Sequence, residues 1–338
     1  MKILILKPSS LGDVIQALPV LRLLKKHRPR SQIFWWIDSA LAPLLEGDPD
    51  LAGLLLFERK RWAHPRYWPE MLRSLRRLRQ HHFDWVIDLQ GLARSAAFAW
   101  LTRGEFLIGL DETREGAHAF YDIAVPRKTF HTHAVDWYLS VLEWLHVPIH
   151  FQFNWLPERP AIAATIQTRW STAGTPWVIL LPGARWDNKR WPHEYFATVL
   201  QQMTAEYPNT RFAILGNQDD QPLAATIAQA APHRTLNLCG QTTLLEMVEW
   251  IRLAHLVITN DTGPMHAAAA LKKTIVSLFG PTEPRRTGPY GQLANSLRLN
   301  LPCSPCLKSS CTYEKPMECL KALTPSLVLP RVHQLIPR

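Results

Sequence analysis

Short apolar runs with no polar alternation, each followed by a helical segment, recur along the whole chain. In the first half they are KILILK at 2–7, QIFWWID at 32–38 and DWVIDL at 84–89. In the second they are PWVILLPG at 176–183, RFAILG at 211–216, HLVITN at 255–260 and TIVSLFG at 274–280. A strand that shows no polar face is covered on both sides, the signature of a parallel sheet sandwiched between helices. Helical patterns fill the intervals: DVIQALPVLRLLKKH, ARSAAFAWL and HAVDWYLSVLEWL, then PHEYFATVLQQM, DQPLAATIAQAA, TLLEMVEWIRLA and PMHAAAAL. Pro19 is expected to kink the first of these. The stretch VPIHFQFNWLPERP at 147–160 has three prolines and no helical period, and reads as a linker. The expectation is an α/β chain of two doubly wound, Rossmann-like domains, 1–155 and 156–320, with a C-terminal segment at 321–338. Ligands in such folds bind at the carboxyl ends of the strands, so an interdomain cleft lined by strand-to-helix junctions is the place to look for chemistry. No G-x-G-x-x-G follows the first strand of either half, so a dinucleotide fingerprint is missing.

Composition narrows the partners. The 338 residues are 47% apolar and 20% charged, enough to build buried cores. No uncharged apolar run approaches the ~18 residues of a membrane span. The opening MKILILKPSS has too short an apolar stretch for a signal peptide, and a cytoplasmic location is expected. The formal charge of +10 points to anionic partners. Residues 59–79 hold eight Lys/Arg against one Glu, with Trp62, Tyr67 and Trp68 among them. Leu72, Leu75 and Leu78 recur every three residues, so part of this stretch is expected to be an amphipathic helix. Its basic face is either a solvated surface or a contact for anionic lipid headgroups through Arg73, Arg76 and Arg77. No nucleic-acid-binding motif accompanies it. Four of the five cysteines, Cys303, Cys306, Cys311 and Cys319, cluster, but their spacing is not that of a paired zinc knuckle. Reduced thiols or a local disulfide, and no metal, are expected.

Four junctions carry polar groups. In NDTGPMHAAAAL, Pro264 suits the first position of a helix with Gly263 as its cap, leaving the N–H groups of Met265 and His266 aimed outward. With the helix dipole they form an anion site, and Thr262 and His266 add donors. Plain capping is the competing reading. In LPGARWDNKRWP, Arg185, Lys189 and Arg190 follow a strand end, and a lysine there reaches a phosphate as a point charge. In LKPSSLGDVIQALP, Ser9, Ser10, Gly12 and Asp13 sit between strand and helix; Asp13 either caps the helix or takes a proton from a hydroxyl nucleophile. In DLQGLARS, Asp88, Gln90 and Arg94 could hydrogen-bond a polar acceptor, and Arg114 and Glu115 add charge in a nearby loop or form a buried ion pair with each other.

Taken together, SSLGDVIQALP, DLQGLARS, REGAHAFY, HAVDW, DNKRWP, NDTGPMHAAAAL and LFGPTEP, in this order over nearly the whole chain, resemble glycosyltransferase family 9, the bacterial heptosyltransferases of lipopolysaccharide core assembly. SSLGD is more similar to the enzymes that add the first heptose. The resemblance implies a GT-B fold, with an N-terminal acceptor-binding domain, a C-terminal nucleotide-sugar domain, and residues 321–338 packing back on the N-terminal domain. It implies inverting transfer of a heptose from ADP-heptose to a Kdo-containing lipid A acceptor, without cofactor, at the cytoplasmic face of the inner membrane. Asp13 is then the base. Lys189, Asp261, Thr262, Gly263, Met265 and His266 are the donor site, with Asp220 (or its neighbour Asp219) on the ribose. Ser10, Gly12, Gln90, Arg94 and Arg114 face the acceptor. A transferase with another donor or acceptor, and a non-catalytic nucleotide-sugar or lipid-binding protein, are the competing readings. The chemistry fits the first: glycosyl transfer needs a base and a stabilised leaving diphosphate, and a helix start with Lys189 supplies the second without a metal. The only Asp-x-Asp, Asp48-Pro49-Asp50, reads as a turn.

Overall fold

The computed structural model of the chain describes residues 1–62, 64–112 and 115–336, the side chains of Arg59 and Lys60 excepted. The chain forms two compact units, the first ending at Pro157 and the second beginning at Glu158, within the expected linker. The first unit runs β1 (Lys2–Leu6), α1 (Leu11–His27), β2 (Gln32–Asp38), β3 (Gly53–Phe57), α2 (Arg59–Trp62), α3 (Trp68–Arg79), β4 (Trp85–Asp88), α4 (Ala93–Leu101), β5 (Phe106–Asp111), β6 (Ile123–Pro126) and α5 (Ala134–Trp144). Its six strands are parallel, in the order β3-β2-β1-β4-β5-β6.

The second unit runs α6 (Pro160–Trp170), β7 (Trp177–Leu181), α7 (His193–Glu206), β8 (Arg211–Ile214), α8 (Gln221–Ala228), β9 (Thr235–Asn237), α9 (Leu244–Leu253), β10 (Ala254–Asn260), α10 (Gly263–Ala270), β11 (Ile275–Phe279), α11 (Pro284–Thr287), β12 (Ser296–Arg298), α12 (Glu318–Lys321) and α13 (Pro325–Leu335). Its sheet, β12-β11-β10-β7-β8-β9, is also parallel and has the same topology. In both units the order reverses beside the first strand, between β1 and β4 and between β7 and β10.

The unalternating apolar runs are explained by cover on both faces: Ile3 to Leu6 are fully buried, and Trp177 to Leu181 nearly so. Pro19 does not break α1, which runs unbroken for 17 residues. The basic stretch does correct one expectation. Of the leucines spaced by three, Leu75 and Leu78 are buried but Leu72 is 51% exposed. A period of three drifts off one face of a helix with 3.6 residues per turn. The inward row is Met71, Leu75 and Leu78, spaced four and three, and the partly buried Met71 packs on the first unit's core cluster, which includes Trp36 and Phe83. At the C-terminus, Leu320 of α12 and Val328 and Val332 of α13 belong to the second unit's core, with α13 against α7. The indole of Trp191 donates to the carbonyl of Leu323 at 2.7 Å.

The Asp48-Pro49-Asp50 turn has a specific job. Arg22 of α1, 7% exposed, makes a two-pronged ion pair with Asp48 at 2.6 Å on each arm and reaches Asp50 at 2.7 Å. Its Nε and Nη2 also donate to the carbonyl of Trp155, at 3.2 and 2.9 Å. The clamp therefore pins the last residues of the first unit to α1. Breaking one partner of a buried pair strands the other charge, at about 3–5 kcal/mol. Asp48→Ala leaves Arg22 with Asp50 and the Trp155 carbonyl, so it is expected to lower stability by less than that full cost, read as a lower urea midpoint with an unchanged slope; a midpoint equal to that of the parent chain would show that the clamp does not hold the first unit.

Candidate active site

The junction after β1 carries Asp13. Ser10 is the N-cap of α1, and the Asp13 Oδ2 atom accepts both the Ser10 backbone N–H at 3.0 Å and its hydroxyl at 2.7 Å. Both bonds tie the third helical residue back to the cap residue, the carboxylate half of a capping box. It uses one carboxylate oxygen. The other, Oδ1, lies 3.4 Å from the hydroxyl of Tyr138 on α5, which donates to it. Asp13 is half-buried, Ser10 exposed and Gly12 buried. The two oxygens of this side chain thus meet different partners.

Below Asp13 lies Lys7, only 3% exposed. Its ammonium donates to the carbonyl of Leu89 at 2.9 Å and stands 4.7 Å from the centre of the Tyr138 ring. Burial pulls the Lys7 pKa down, while the charges of Asp13, Asp88 and Glu112 oppose that shift. Neither Lys7 nor Tyr138 stands out in the sequence as a site residue. The only signal is a lysine at the end of an otherwise apolar first strand.

Across the switch point, Asp88 is wholly buried and accepts from the N–H groups of Gln90 at 2.8 Å and Gly91 at 3.3 Å and from the Tyr121 hydroxyl at 2.8 Å. Burial pushes its pKa up against those hydrogen bonds. Tyr121 reaches it because Gly109 has no side chain: a Cβ there would come within 2.3 Å of the ring. Asp88 therefore organises the loop and does not present its carboxylate to a ligand. Gln90, half-buried, and Arg94, exposed, do line one cavity of about 450 Å³ with Ser9, Trp36, Phe57 and Trp62. Arg114 lies outside the described residues. Glu115 is exposed and caps α4 by accepting the Ala93 N–H at 3.0 Å, so it is not half of a buried pair.

In the second unit, Asn260, wholly buried at the end of β10, ties the switch-point loops together. It donates to the carbonyl of Pro182 at 2.6 Å and accepts the Trp191 N–H at 3.1 Å. The next residue, Asp261, accepts from the Lys189 ammonium at 2.7 Å and the Thr282 hydroxyl at 2.6 Å. Lys189 also stands 4.6 Å over the Trp186 ring, and its side chain stays 18% exposed. Two expected residues, Lys189 and Asp261, are thus joined by Thr282, which was not singled out, so that the motifs DNKRWP, NDTGP and LFGPTEP meet at one carboxylate. Beside Thr282, Glu283 is fixed by Arg285 and Arg298 at 3.0 and 3.2 Å. Burial opposes its charge, but the arginines prevail and hold its carboxyl at about 2.

The helix start differs from expectation in its details. The cap is Thr262, with extended backbone, and Gly263 and Pro264 are the first helical residues. The Met265 N–H is not aimed outward. It folds back onto the Thr262 carbonyl at 3.2 Å, the tightened first turn that helices use to satisfy an orphan donor. The Met265 side chain is fully buried and His266 is 8% exposed, so Met265 serves the core. Thr262 and Gly263 remain half-buried at the mouth of the junction. Asp220 is 4% exposed, accepts the Asn217 N–H at 3.1 Å and lies 3.5 Å from Arg190. A Cβ on Gly183 would come within 2.3 Å of its carboxylate, so the glycine makes room for it. Asp219 is the exposed member of the pair.

The cysteine segment supports this junction. Cys303, Cys306, Cys311 and Cys319 are free thiols that line a cavity of about 230 Å³ with Asn188. Asn188 donates to the Lys308 carbonyl at 2.9 Å, the Leu307 N–H to the Pro281 carbonyl at 2.8 Å and the Ser304 hydroxyl to the Gly280 carbonyl at 2.6 Å. These bonds brace the loops that carry Lys189 and Thr282. Among the described residues no group of three or more His, Cys, Asp or Glu is placed to hold a metal ion.

Each switch point thus presents a distinct chemistry: a half-buried carboxylate in the first unit, and an ammonium, a hydroxyl and a glycine helix start in the second. Comparison with known proteins gives the family. Residues 71–317 match the family model described as glycosyltransferase family 9 (heptosyltransferase). The chain is 33% identical over 335 residues to lipopolysaccharide heptosyltransferase 1 of Pseudomonas aeruginosa, covering 94% of this chain and 89% of that protein. It is 28% identical to lipooligosaccharide heptosyltransferase 2 of Campylobacter jejuni over 99% of both chains. Among solved structures it resembles the glycosyl transferase family 9 protein of Veillonella parvula, with a TM-score of 0.83 at 23% identity, covering 99% of this chain and 96% of that one. It likewise resembles E. coli heptosyltransferase WaaC with ADP, with a TM-score of 0.77 at 23% identity over 99% of both chains. These structural likenesses carry the GT-B fold. The chain belongs to glycosyltransferase family 9, the heptosyltransferases.

Proposed function

We propose that the protein transfers a heptose, with inversion and without a metal ion, from ADP-heptose to a Kdo-containing lipid A acceptor, adding the first heptose of the core. The observation that carries this reading is the convergence of Lys189, Asp261 and Thr282 at the start of α10. An ammonium has three N–H donors, and Asp261 takes one while fixing where the others point. A diphosphate leaving group at this helix start meets that cation together with the Thr262–Gly263 backbone. Similarity to a lipopolysaccharide heptosyltransferase 1 supports the first-heptose assignment. The ribose contact falls to the Asp219–Asp220 pair. Because Asp220 is buried, exposed Asp219 is the better placed of the two.

Asp13 is the general base in this reading. Its carboxylate, which accepts from Ser10 and Tyr138 in this structure, receives the proton from the acceptor hydroxyl. Gln90 and Arg94, in the wall of the aromatic cavity beside Ser9, hold the acceptor. A peripheral place at the inner-membrane surface is supported by α3. Arg73, Arg76 and Arg77 are exposed on it, and Trp68 and Leu72 are 53% and 51% exposed beside them. Basic residues interleaved with exposed apolar ones suit an anionic lipid surface. Among the described residues no helix is long and apolar enough to cross a membrane.

The direct test is release of the nucleoside diphosphate from ADP-, UDP- and GDP-sugars with and without a Kdo-lipid acceptor. Acceptor-dependent ADP release is expected from ADP-heptose alone, and turnover of another donor in its place defeats the assignment. Asp13→Asn is expected to cut kcat by ~10²–10⁴ with donor affinity unchanged; a near-normal kcat removes Asp13 from the chemistry. Lys189→Ala is expected to weaken donor binding and slow transfer together, and full activity in that variant would leave the diphosphate without its cation. Binding to anionic lipid vesicles is expected to fall with added salt and to vanish when Arg73, Arg76 and Arg77 are all neutralised. Salt-independent binding counts against the lipid surface.

A further inference from the structure

Four buried tryptophans satisfy their ring N–H groups within the fold. The indoles of Trp35, Trp137, Trp177 and Trp191 donate to the carbonyls of Lys7, Val125, Thr172 and Leu323. Trp36 and Trp62, 4% and 8% exposed, depart from that pattern: their Nε1 atoms are buried and meet no acceptor among the described residues. Oε1 of Gln90 is likewise buried without a donor. All three residues line the same cavity of about 450 Å³. An unmet polar group at such depth is costly, and a buried indole N–H ordinarily finds a partner. Three such groups around one cavity point to a ligand that supplies the partners.

We propose that this cavity seats the sugar-acid ring of the acceptor, and that Trp36 and Trp62 are specificity-determining residues whose indole N–H groups bind its carboxylate. The inference rests on the Kdo-lipid reading of the acceptor and deepens it. Charge and chemistry select the occupant. An indole nitrogen and a guanidinium can only donate. Arg94, exposed in the cavity wall, has no anionic partner among the described residues, and none of those lining the cavity is an Asp or Glu. The wall therefore offers two N–H groups and a cation to an oxyanion, and one amide oxygen to a hydroxyl. Phe57, Met71 and Phe98 supply the apolar remainder. The electron-rich faces of aromatic rings suit the C–H face of a pyranose. An acyl chain would fill the same volume but leave all three buried polar atoms unmet.

The two indoles are held in advance. Trp36 stacks on Phe98 with 4.3 Å between ring centres and tilts against Phe57 at 4.5 Å, and Trp62 meets Phe57 edge-on at 5.5 Å. Neighbouring rings, and not the ligand, fix their orientation, which lowers the ordering cost of binding. The placement also suits the reaction. Trp36 and Phe57 stand near the carboxyl ends of β2 and β3, Ser9 follows β1 and Gln90 follows β4. In a parallel sheet that is the edge at which ligands bind.

The test is steady-state transfer by the full-length protein from ADP-heptose to a Kdo-lipid, to the same lipid with its sugar-acid carboxyls reduced to alcohols, and to the same lipid stripped of its phosphates. The parent is expected to lose about tenfold in kcat/KM on the carboxyl-reduced acceptor, the scale of one hydrogen bond to a charged group, and to keep its rate on the dephosphorylated one. Trp36→Phe and Trp62→Phe each keep an aromatic wall and delete one donor. Each is expected to raise the acceptor KM about tenfold with donor KM unchanged, and to lose most of the preference for the carboxylate. Circular dichroism and thermal melting confirm that the variants are folded, and the comparison of acceptors on the parent decides the matter even where one is not. The proposal is overturned if the parent does not distinguish the carboxyl-reduced acceptor, or if either folded variant keeps the parental acceptor KM. Loss of rate on the dephosphorylated acceptor alone would give the cavity to a phosphate and overturns it too. Absence of transfer to any of the three acceptors defeats the Kdo-lipid reading and this proposal with it; transfer without carboxylate preference defeats the proposal alone.

Discussion

The reversal of strand order beside the first strand of each sheet is the constraint on which the rest depends. In a parallel sheet every strand ends at the same edge, and neighbouring connections normally leave to the same side. Where the order reverses, they leave to opposite sides and open a crevice between two strand ends. The first unit has that crevice between β1 and β4, the second between β7 and β10. Asp13 and Gln90 flank one of them, and Lys189 and Asp261 the other. Polar residues can stand there because the backbone has left the sheet and the side chains are not yet enclosed by the helices.

Both crevices are organised by buried polar residues that do not themselves face a ligand. Asp88 and Asn260 occupy equivalent places at the ends of β4 and β10, both wholly buried, and each spends its side chain on loop backbone. Asp220, fitted over Gly183, does similar work. Unmet hydrogen bonds at such depth are costly, so these residues hold their loops in single conformations. Asp13 and Lys189, by contrast, are left partly accessible.

Much of this was legible in the chain. β1, β2, β4, β7, β8, β10 and β11 announce themselves because central parallel strands are apolar on both faces. β3, β5, β6, β9 and β12 went unread. β9 and β12 are three residues long, and β3 and β6 are the two opposite edge strands of the first sheet, where cover is incomplete and the apolar signal weakens. The row at Leu72, Leu75 and Leu78 misled because leucine identity was taken for a face; Met71 holds the place that Leu72 was given. Met265 misled because a helix start was assumed to leave its N–H groups free.

The sequence alone determined the class of fold, the two-unit division, the family, and the junctions where polar residues interrupt apolar strands. Those follow from local periodicity and from motifs short enough to read in line. Only the tertiary structure decided which carboxylates are scaffold and which are available, since Asp88 and Asp220 look as reactive on paper as Asp13. It also joined Lys189 to Asp261 across 72 positions and Lys7 to Asp13 through Tyr138 of a distant helix. Burial and hydrogen-bond partners set what an ionisable side chain can do, and both are properties of contacts between segments that the order of residues does not display.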